Sequence, residues 1–98
     1  MTLTGKQKRY LRSLMVTETA VIQIGKGSIS DALVLQTKET LLAREVIKIK
    51  VQNNNDEDLE QLATELAEAC DAHLVQIIGR NFVLYRRNSE KPKIVLPE

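Results

Sequence analysis

A short glycine-rich segment, Gly25-Lys26-Gly27-Ser28, is the part of this sequence best suited to bind a ligand. Glycine has no Cβ atom, so another backbone can approach such a segment closely. The segment stands between a predicted strand and a predicted helix, and the free N–H groups at the start of a helix attract phosphate. Lys26 adds a mobile positive charge. The pattern indicates a contact for a nucleic-acid backbone, although many tight turns hold two glycines for geometry alone.

Three further sets of basic residues could extend this contact into one surface with the loop at its centre. They are Lys6, Lys8, Arg9 and Arg12 on one face of the first predicted helix, Lys48 and Lys50 on a predicted strand, and Arg80, Arg86 and Arg87 around a predicted hairpin. Each set alone is also typical of a solvated surface. A single binding surface therefore requires that the fold bring the sets together.

The charges are segregated along the chain, although 14 Lys and Arg residues nearly balance 13 Asp and Glu residues. Residues 56–71 carry seven acids and no Lys or Arg, which leaves a net charge of +8 elsewhere. This asymmetry predicts a polyanion-binding surface opposed by an acidic helix. The alternative is ordinary charge scatter around one solvated helix. Because the sequence has only two Tyr and one Phe, we expect recognition of backbone and shape rather than stacking on bases.

Residue patterns for catalysis, metal binding or cofactor binding are lacking, and we predict that the protein is not an enzyme. Cys70 and His73 form a lone C-x-x-H, whereas structural zinc needs four ligands. Cys70 completes an apolar helical stripe and is interpreted as a buried thiol. The acidic cluster has the spacing of a solvated helix face. The spacing of a nucleotide-binding P-loop is missing around Lys26.

Hydrophobic periodicity and capping signals predict seven elements. The first helix should begin near Thr4, where Thr4 and Gln7 fit a capping box. The other predicted elements are a strand over 20–24, a helix from a Ser28 cap to about Arg44, a strand over 46–51, a helix over about 56–70, and strands over 74–78 and 82–86. A positive φ is expected at Gly79 or Asn81 in the connection between the last two strands.

The order αβαβαββ predicts a single α/β domain over residues 1–98, with three helices and a mixed four-stranded sheet. The apolar tail within 88–98, Ile94-Val95-Leu96, should lie along the sheet. No apolar run is long enough to span a bilayer, and a single cysteine excludes an internal disulfide. We therefore expect a cytoplasmic protein without membrane contact. A monomer is the expected state, although no sequence feature determines it.

Six segments together resemble the CRM domain family, in its stand-alone bacterial YhbY type. They are Leu3-Thr4-Gly5-Lys6-Gln7-Lys8, Val21-Ile22-Gln23-Ile24-Gly25, Val46-Ile47-Lys48-Ile49-Lys50-Val51, Val75-Gln76-Ile77-Ile78-Gly79-Arg80, Val83-Leu84-Tyr85-Arg86 and Lys93-Ile94-Val95-Leu96-Pro97. The resemblance covers nearly the whole chain. Their order, their spacing and the two closing motifs make it specific.

The resemblance implies an RNA-binding domain with a fold similar to the C-terminal domain of translation initiation factor three. Bacterial members associate with precursors of the large ribosomal subunit, and plant relatives serve in organellar intron splicing. The family's G-x-x-G loop, likened to that of KH domains, corresponds to Gly25, Lys26, Gly27 and Ser28. Ser28 stands where the family has its second glycine, and Gly27 can supply the same close approach. The basic first helix, Lys48, Lys50, Arg80 and Arg86 fall at matching positions and are carried over as candidate RNA contacts.

The hypothesis is a ribosome-assembly factor that binds large-subunit precursor RNA through the glycine-rich loop and the basic surface around it, without a cofactor. Ribosomal proteins are further candidate partners. The main alternative is a protein–protein interaction module of the translation machinery that uses its acidic third helix or its apolar tail. A second alternative is a small nuclease, which the lack of a histidine pair and of clustered metal carboxylates disfavours.

Overall fold

The computed structural model describes residues 2–98, and its seven elements follow in the predicted order. They are α1 (Gly5–Met15), β1 (Ile22–Ile24), α2 (Asp31–Arg44), β2 (Val46–Val51), α3 (Leu59–Ala69), β3 (His73–Ile78) and β4 (Asn81–Tyr85). The sheet has the strand order β1-β2-β4-β3. Strand β1 runs parallel to β2, and β4 runs antiparallel to both of its neighbours. The prediction of one α/β domain with a mixed four-stranded sheet is confirmed.

Helices cover both faces of the sheet because side chains alternate along each strand. Ile47, Ile49 and Val51 of β2 are buried in a core shared with α2 and α3. Val46 is buried on the other face, in a second core that contains Leu11 of α1. The sheet is thus the middle of three layers. None of the helices within residues 2–98 is long and apolar enough to cross a membrane.

The three layers separate the charged helices. The basic helix α1 covers one face of the sheet, and the acidic helix α3 packs with α2 against the other. Lys48 and Lys50 alternate with the buried Ile47, Ile49 and Val51, so they lie on the α1 face. The basic residues of α1 and the acidic residues of α3 therefore lie on opposite faces of the sheet.

The capping signal of α1 is confirmed, whereas two helix starts were wrong. The Gln7 N–H donates to Thr4 Oγ1 at 3.1 Å and the Gln7 side chain accepts from the Thr4 N–H at 3.0 Å. Helix α2 is capped by Ser30 rather than Ser28: the Leu33 N–H donates to Ser30 Oγ, whereas the Ser28 hydroxyl donates to Glu57. Helix α3 begins at Leu59 with Asp58 as its cap, so residues 56–57 belong to the preceding loop.

Strand β1 covers Ile22–Ile24 and is shorter than the predicted 20–24. At the hairpin, β3 begins one residue earlier than predicted, and β4 covers 81–85 rather than 82–86. Gly79 has a φ of +58°, as expected for the turn. A register shift between Leu74 and Gln76 interrupts the pairing of β3 with β4.

The C-terminal tail forms no strand of its own, but it packs against the sheet face that carries Val75 and Val83. Ile94 and Leu96 pack into the α1-side core. The carboxylate of Glu45, which is fully buried, accepts the main-chain N–H groups of Asn88, Lys93 and Ile94 at 2.6–2.8 Å. This carboxylate fixes the path of the tail, and the sequence analysis did not identify it.

Candidate nucleic-acid interface

Three loops meet at one end of the sheet, which we name the loop end. They are the β1–α2 loop (residues 25–30), the β2–α3 loop (residues 52–58) and the β3–β4 turn (residues 79–80). The Gln52 N–H donates to the Ile24 carbonyl and the Val51 N–H donates to the Arg80 carbonyl, both at 2.8 Å. The parallel β1–β2 pair and the antiparallel hairpin bring these loops together. The predicted ligand-binding segment lies among them.

The segment Gly25–Ser28 is exposed throughout. A Cβ atom built on Gly25 or on Gly27 would meet no atom within 4 Å. No other part of the described chain therefore needs the glycines for packing, and the space beside them is open to a ligand. Gly27 has a φ of +103°, a conformation that side-chain-bearing residues rarely adopt. The left-handed position of the loop is thus Gly27, which precedes Ser28.

Asn55 holds this loop through its side chain, and nothing in the sequence distinguishes it from the neighbouring Asn53 and Asn54. Its side chain is only 5% exposed, whereas Asn53 and Asn54 are exposed. Its Nδ2 donates to the Gly25 carbonyl at 2.7 Å and to the Gly27 carbonyl at 2.9 Å. Its Oδ1 accepts the Glu57 N–H at 2.8 Å. One buried amide therefore links the glycine-rich loop to the start of α3.

Arg80, predicted as an RNA contact, has a structural role at the same place. The side chain is half-buried, and its guanidinium donates to the Gln52 carbonyl at 2.8 Å and to the Asn55 carbonyl at 3.4 Å. Its Nε is buried without a partner among residues 2–98. The guanidinium thus braces the β2–α3 loop, which in turn carries the Asn55 amide. An RNA contact by Arg80 stays a prediction.

We expect Arg80→Ala to lower the free energy of unfolding by about 1–3 kcal/mol, because the substitution leaves buried carbonyls without their charged donor. Lys26→Ala should change stability by less than about 0.5 kcal/mol, since Lys26 is exposed. Urea unfolding followed by circular dichroism measures both. Equal stability of the two variants would show that the guanidinium bonds contribute nothing to the fold.

Lys50 is exposed on β2 beside the loop. Its neighbour across the parallel pair is Gln23, and its neighbour across the antiparallel pair is Asn81. Gln23 is exposed and bonds through its side chain to Gln52. The sheet face near the loop end is therefore polar and open, as the alternation predicted.

Lys48 lies on the same sheet face as Lys50, but a hydrogen bond holds its side chain in place. Its ammonium donates to the Glu18 carbonyl at 2.9 Å, and the side chain is half-buried. This bond fixes the segment that joins α1 to β1. The structure therefore shows a structural contact for Lys48, and its predicted RNA contact stays a prediction.

Helix α1 covers the same sheet face, and its four basic residues lie on the sides of the helix that do not pack against the sheet. Leu11 is fully buried, whereas Lys6, Lys8 and Arg9 are exposed and Arg12 is half-buried. The guanidinium of Arg9 folds back toward Gly5. The layer that carries Lys50 therefore also carries these four cations, and the acidic α3 lies behind the sheet.

Arg86 and Arg87 do not join the loop end, contrary to the expectation that they lie around the hairpin turn. Strand β4 runs away from the turn, so Arg86 lies about 20 Å along the chain from Arg80. With Lys38 of α2, both arginines line a cavity of about 420 Å³ at the opposite end of the sheet. The predicted RNA contact of Arg86 stays a prediction, but it would belong to a separate surface.

Cys70 and His73 lie apart from the loop end. Cys70 is fully buried in the core beneath α2 and α3, and burial raises the pKa of its thiol. His73 begins the edge strand β3 and stacks on Tyr85, with ring centroids 6.2 Å apart. Burial lowers the pKa of His73. Both residues have packing contacts that explain their positions.

Comparisons with known proteins agree with this architecture. A family model for the CRS1/YhbY (CRM) domain matches residues 3–86. The chain is 44% identical over 95 residues to a Bacillus subtilis protein named "Probable RNA-binding protein YqeI", covering 97% of this chain and 99% of that protein. It is 32% identical over 96 residues to a Haemophilus influenzae protein named "RNA-binding protein", covering 98% and 96%. The solution structure of a hypothetical Staphylococcus aureus protein, described as a candidate RNA-binding protein, superimposes with a TM-score of 0.82 at 48% identity, covering 98% of this chain and all of that one.

Proposed function

Because the chain belongs to the CRS1/YhbY (CRM) domain family, we propose that it binds RNA and acts as an assembly factor on precursors of the large ribosomal subunit. The surface consists of the exposed Gly25–Ser28 loop and Lys50 beside it, and the cations of α1 lie on the same face of the sheet as Lys50. The observation that carries the proposal is the open space around both loop glycines, beside the exposed Lys26 and Lys50.

Phosphate and backbone shape are the features of RNA that this surface suits. Phe82 and Tyr85 are fully buried, so neither ring can stack on a base. Tyr10 is 39% exposed and stands alone on α1. A platform that reads splayed bases uses several exposed rings. Lys26, Lys50 and the α1 cations instead supply point charges for phosphate, and such contacts position RNA without reading its sequence.

The test follows the protein through a sucrose gradient of cell lysate, with ultraviolet crosslinking to map the RNA it contacts. We expect co-migration with large-subunit precursors and crosslinks to their ribosomal RNA. Sedimentation only in the free fraction would overturn the proposal. Ribosome association that survives removal of the Lys26 and Lys50 charges would favour the protein–protein alternative.

RNA affinity should also fall steeply with salt, because phosphate contacts release counterions. A purified transcript of large-subunit ribosomal RNA, titrated at several salt concentrations, measures the slope. A slope near zero would contradict a surface built from lysine and arginine.

A further inference from the structure

The carbonyl groups of the glycine-rich loop are turned inward, although the loop itself is exposed. The Gly25 and Gly27 carbonyls both accept hydrogen bonds from the buried Nδ2 of Asn55. Within residues 2–98, the main-chain N–H groups of Lys26, Gly27 and Ser28 donate no hydrogen bond. The loop therefore keeps two acceptors occupied and three donors free.

This distribution bears directly on phosphate binding. A carbonyl oxygen repels a phosphate oxygen, whereas an N–H group donates to it. If the two carbonyls were released, the loop could rotate them toward solvent and present oxygen to the ligand. Gly27 offers little resistance to such rotation, because glycine populates both signs of φ. An anchor is therefore needed to hold the binding-competent shape.

We infer that Asn55 is the positioning residue of the RNA surface: its amide holds the Gly25 and Gly27 carbonyls inward and so leaves the loop N–H groups facing phosphate. The inference rests on the proposed function, because it assumes that the loop meets RNA. Asn55 need not touch RNA itself. Arg80 supports it by donating a hydrogen bond to the Asn55 carbonyl at 3.4 Å. Loop shape thus depends on a contact between residues 28–30 positions apart in sequence.

The test compares Asn55→Asp with Asn54→Asp. Aspartate at 55 can still accept the Glu57 N–H but has lost both donors to the loop. Asn54 is exposed and next in sequence, so its substitution adds the same charge without touching the loop. We expect Asn55→Asp to weaken binding of a fluorescein-labelled hairpin from large-subunit ribosomal RNA about tenfold relative to Asn54→Asp. Fluorescence anisotropy at low salt measures both.

Amide NMR separates positioning from general stability. In Asn55→Asp, the Lys26, Gly27 and Ser28 amide signals should shift or broaden, while signals from the sheet stay in place. In the wild-type protein, the side-chain amide protons of Asn55 should exchange with solvent more slowly than those of Asn53 and Asn54. Equal exchange at all three asparagines would overturn the inference even if Asn55→Asp failed to fold.

The two proposals fail in different ways. If the wild-type protein does not bind the hairpin, or if Lys26→Glu leaves its affinity unchanged, the proposed surface is wrong. If wild-type binding is strong and Lys26→Glu weakens it, but Asn55→Asp binds like Asn54→Asp, only the role of Asn55 is wrong.

Discussion

Replacing Glu45 with alanine should destabilise the domain by about 3–5 kcal/mol, because three partly buried hydrogen bonds from main-chain N–H groups would lose their charged acceptor. Glu45 ends α2 with a φ of +66°, and its side chain is fully buried. Its two oxygens accept from Asn88 at 2.7 Å and from Lys93 and Ile94 at 2.6 and 2.8 Å. Chemical denaturation measures the loss, and hydrogen exchange should show the tail opening first.

Two further variants make this prediction specific. Glu45→Gln keeps one oxygen for the Lys93 and Ile94 N–H groups but turns an N–H donor toward the Asn88 N–H. Its stability should therefore lie between that of the wild-type protein and that of Glu45→Ala. Glu39→Ala removes an exposed glutamate of the same helix and should change stability by less than about 0.5 kcal/mol. If Glu45→Ala were as stable as Glu39→Ala, the tail would not depend on this carboxylate.

The same carboxylate gives stability a pH dependence. Burial raises the pKa of Glu45, but the three main-chain N–H groups and the nearby Arg87 together lower it by more, so the pKa lies below the usual value for glutamate. A folded-state pKa below the unfolded value means that the stabilisation is present above about pH 4.5 and is lost as the pH falls through the folded pKa. The wild-type protein should therefore lose more stability on acidification than Glu45→Gln.

The sequence predicts the fold well where local signals decide it. The Thr4 and Gln7 box fixes the start of α1, and the alternation of residues 46–51 fixes β2 and its faces. Local signals fail where two residues could serve equally. By sequence Ser28 and Ser30 can both cap α2, but in the structure only Ser30 does so, and Ser28 instead contacts Glu57, 29 positions further along the chain.

The sequence predicts the glycine-rich loop of the candidate site, but it does not predict which residues from other elements surround that loop. The segment Asn53-Asn54-Asn55 looks uniform in sequence, yet only the last side chain is buried and bonds to the loop. Arg80 and Arg86 are close in sequence, but an extended strand carries them to opposite ends of the sheet. Long-range contacts of this kind are set by strand direction and burial, which no local pattern records.

Charge reversal at Lys26 and Lys50 should produce the largest functional effect. Both residues are exposed near the loop end, on adjacent elements joined by the β1–β2 pairing. We expect Lys26→Glu with Lys50→Glu to weaken binding of large-subunit ribosomal RNA about 100-fold at low salt. The slope of log affinity against log salt should fall by about 2, since two phosphate contacts are lost. Anisotropy titrations at several salt concentrations measure both quantities.

A matched control separates a local surface from net charge. Lys38→Glu with Lys91→Glu makes the same charge change at two exposed lysines outside the loop end. Its affinity should fall by less than about threefold at physiological salt, because the Debye length there is about 8 Å and distant charges are screened. Equal losses in the two double variants would mean that RNA responds only to total charge. A loss confined to Lys26 and Lys50 would support phosphate contact at the glycine-rich loop, where exposed cations lie beside main-chain N–H groups that have no acceptor within residues 2–98.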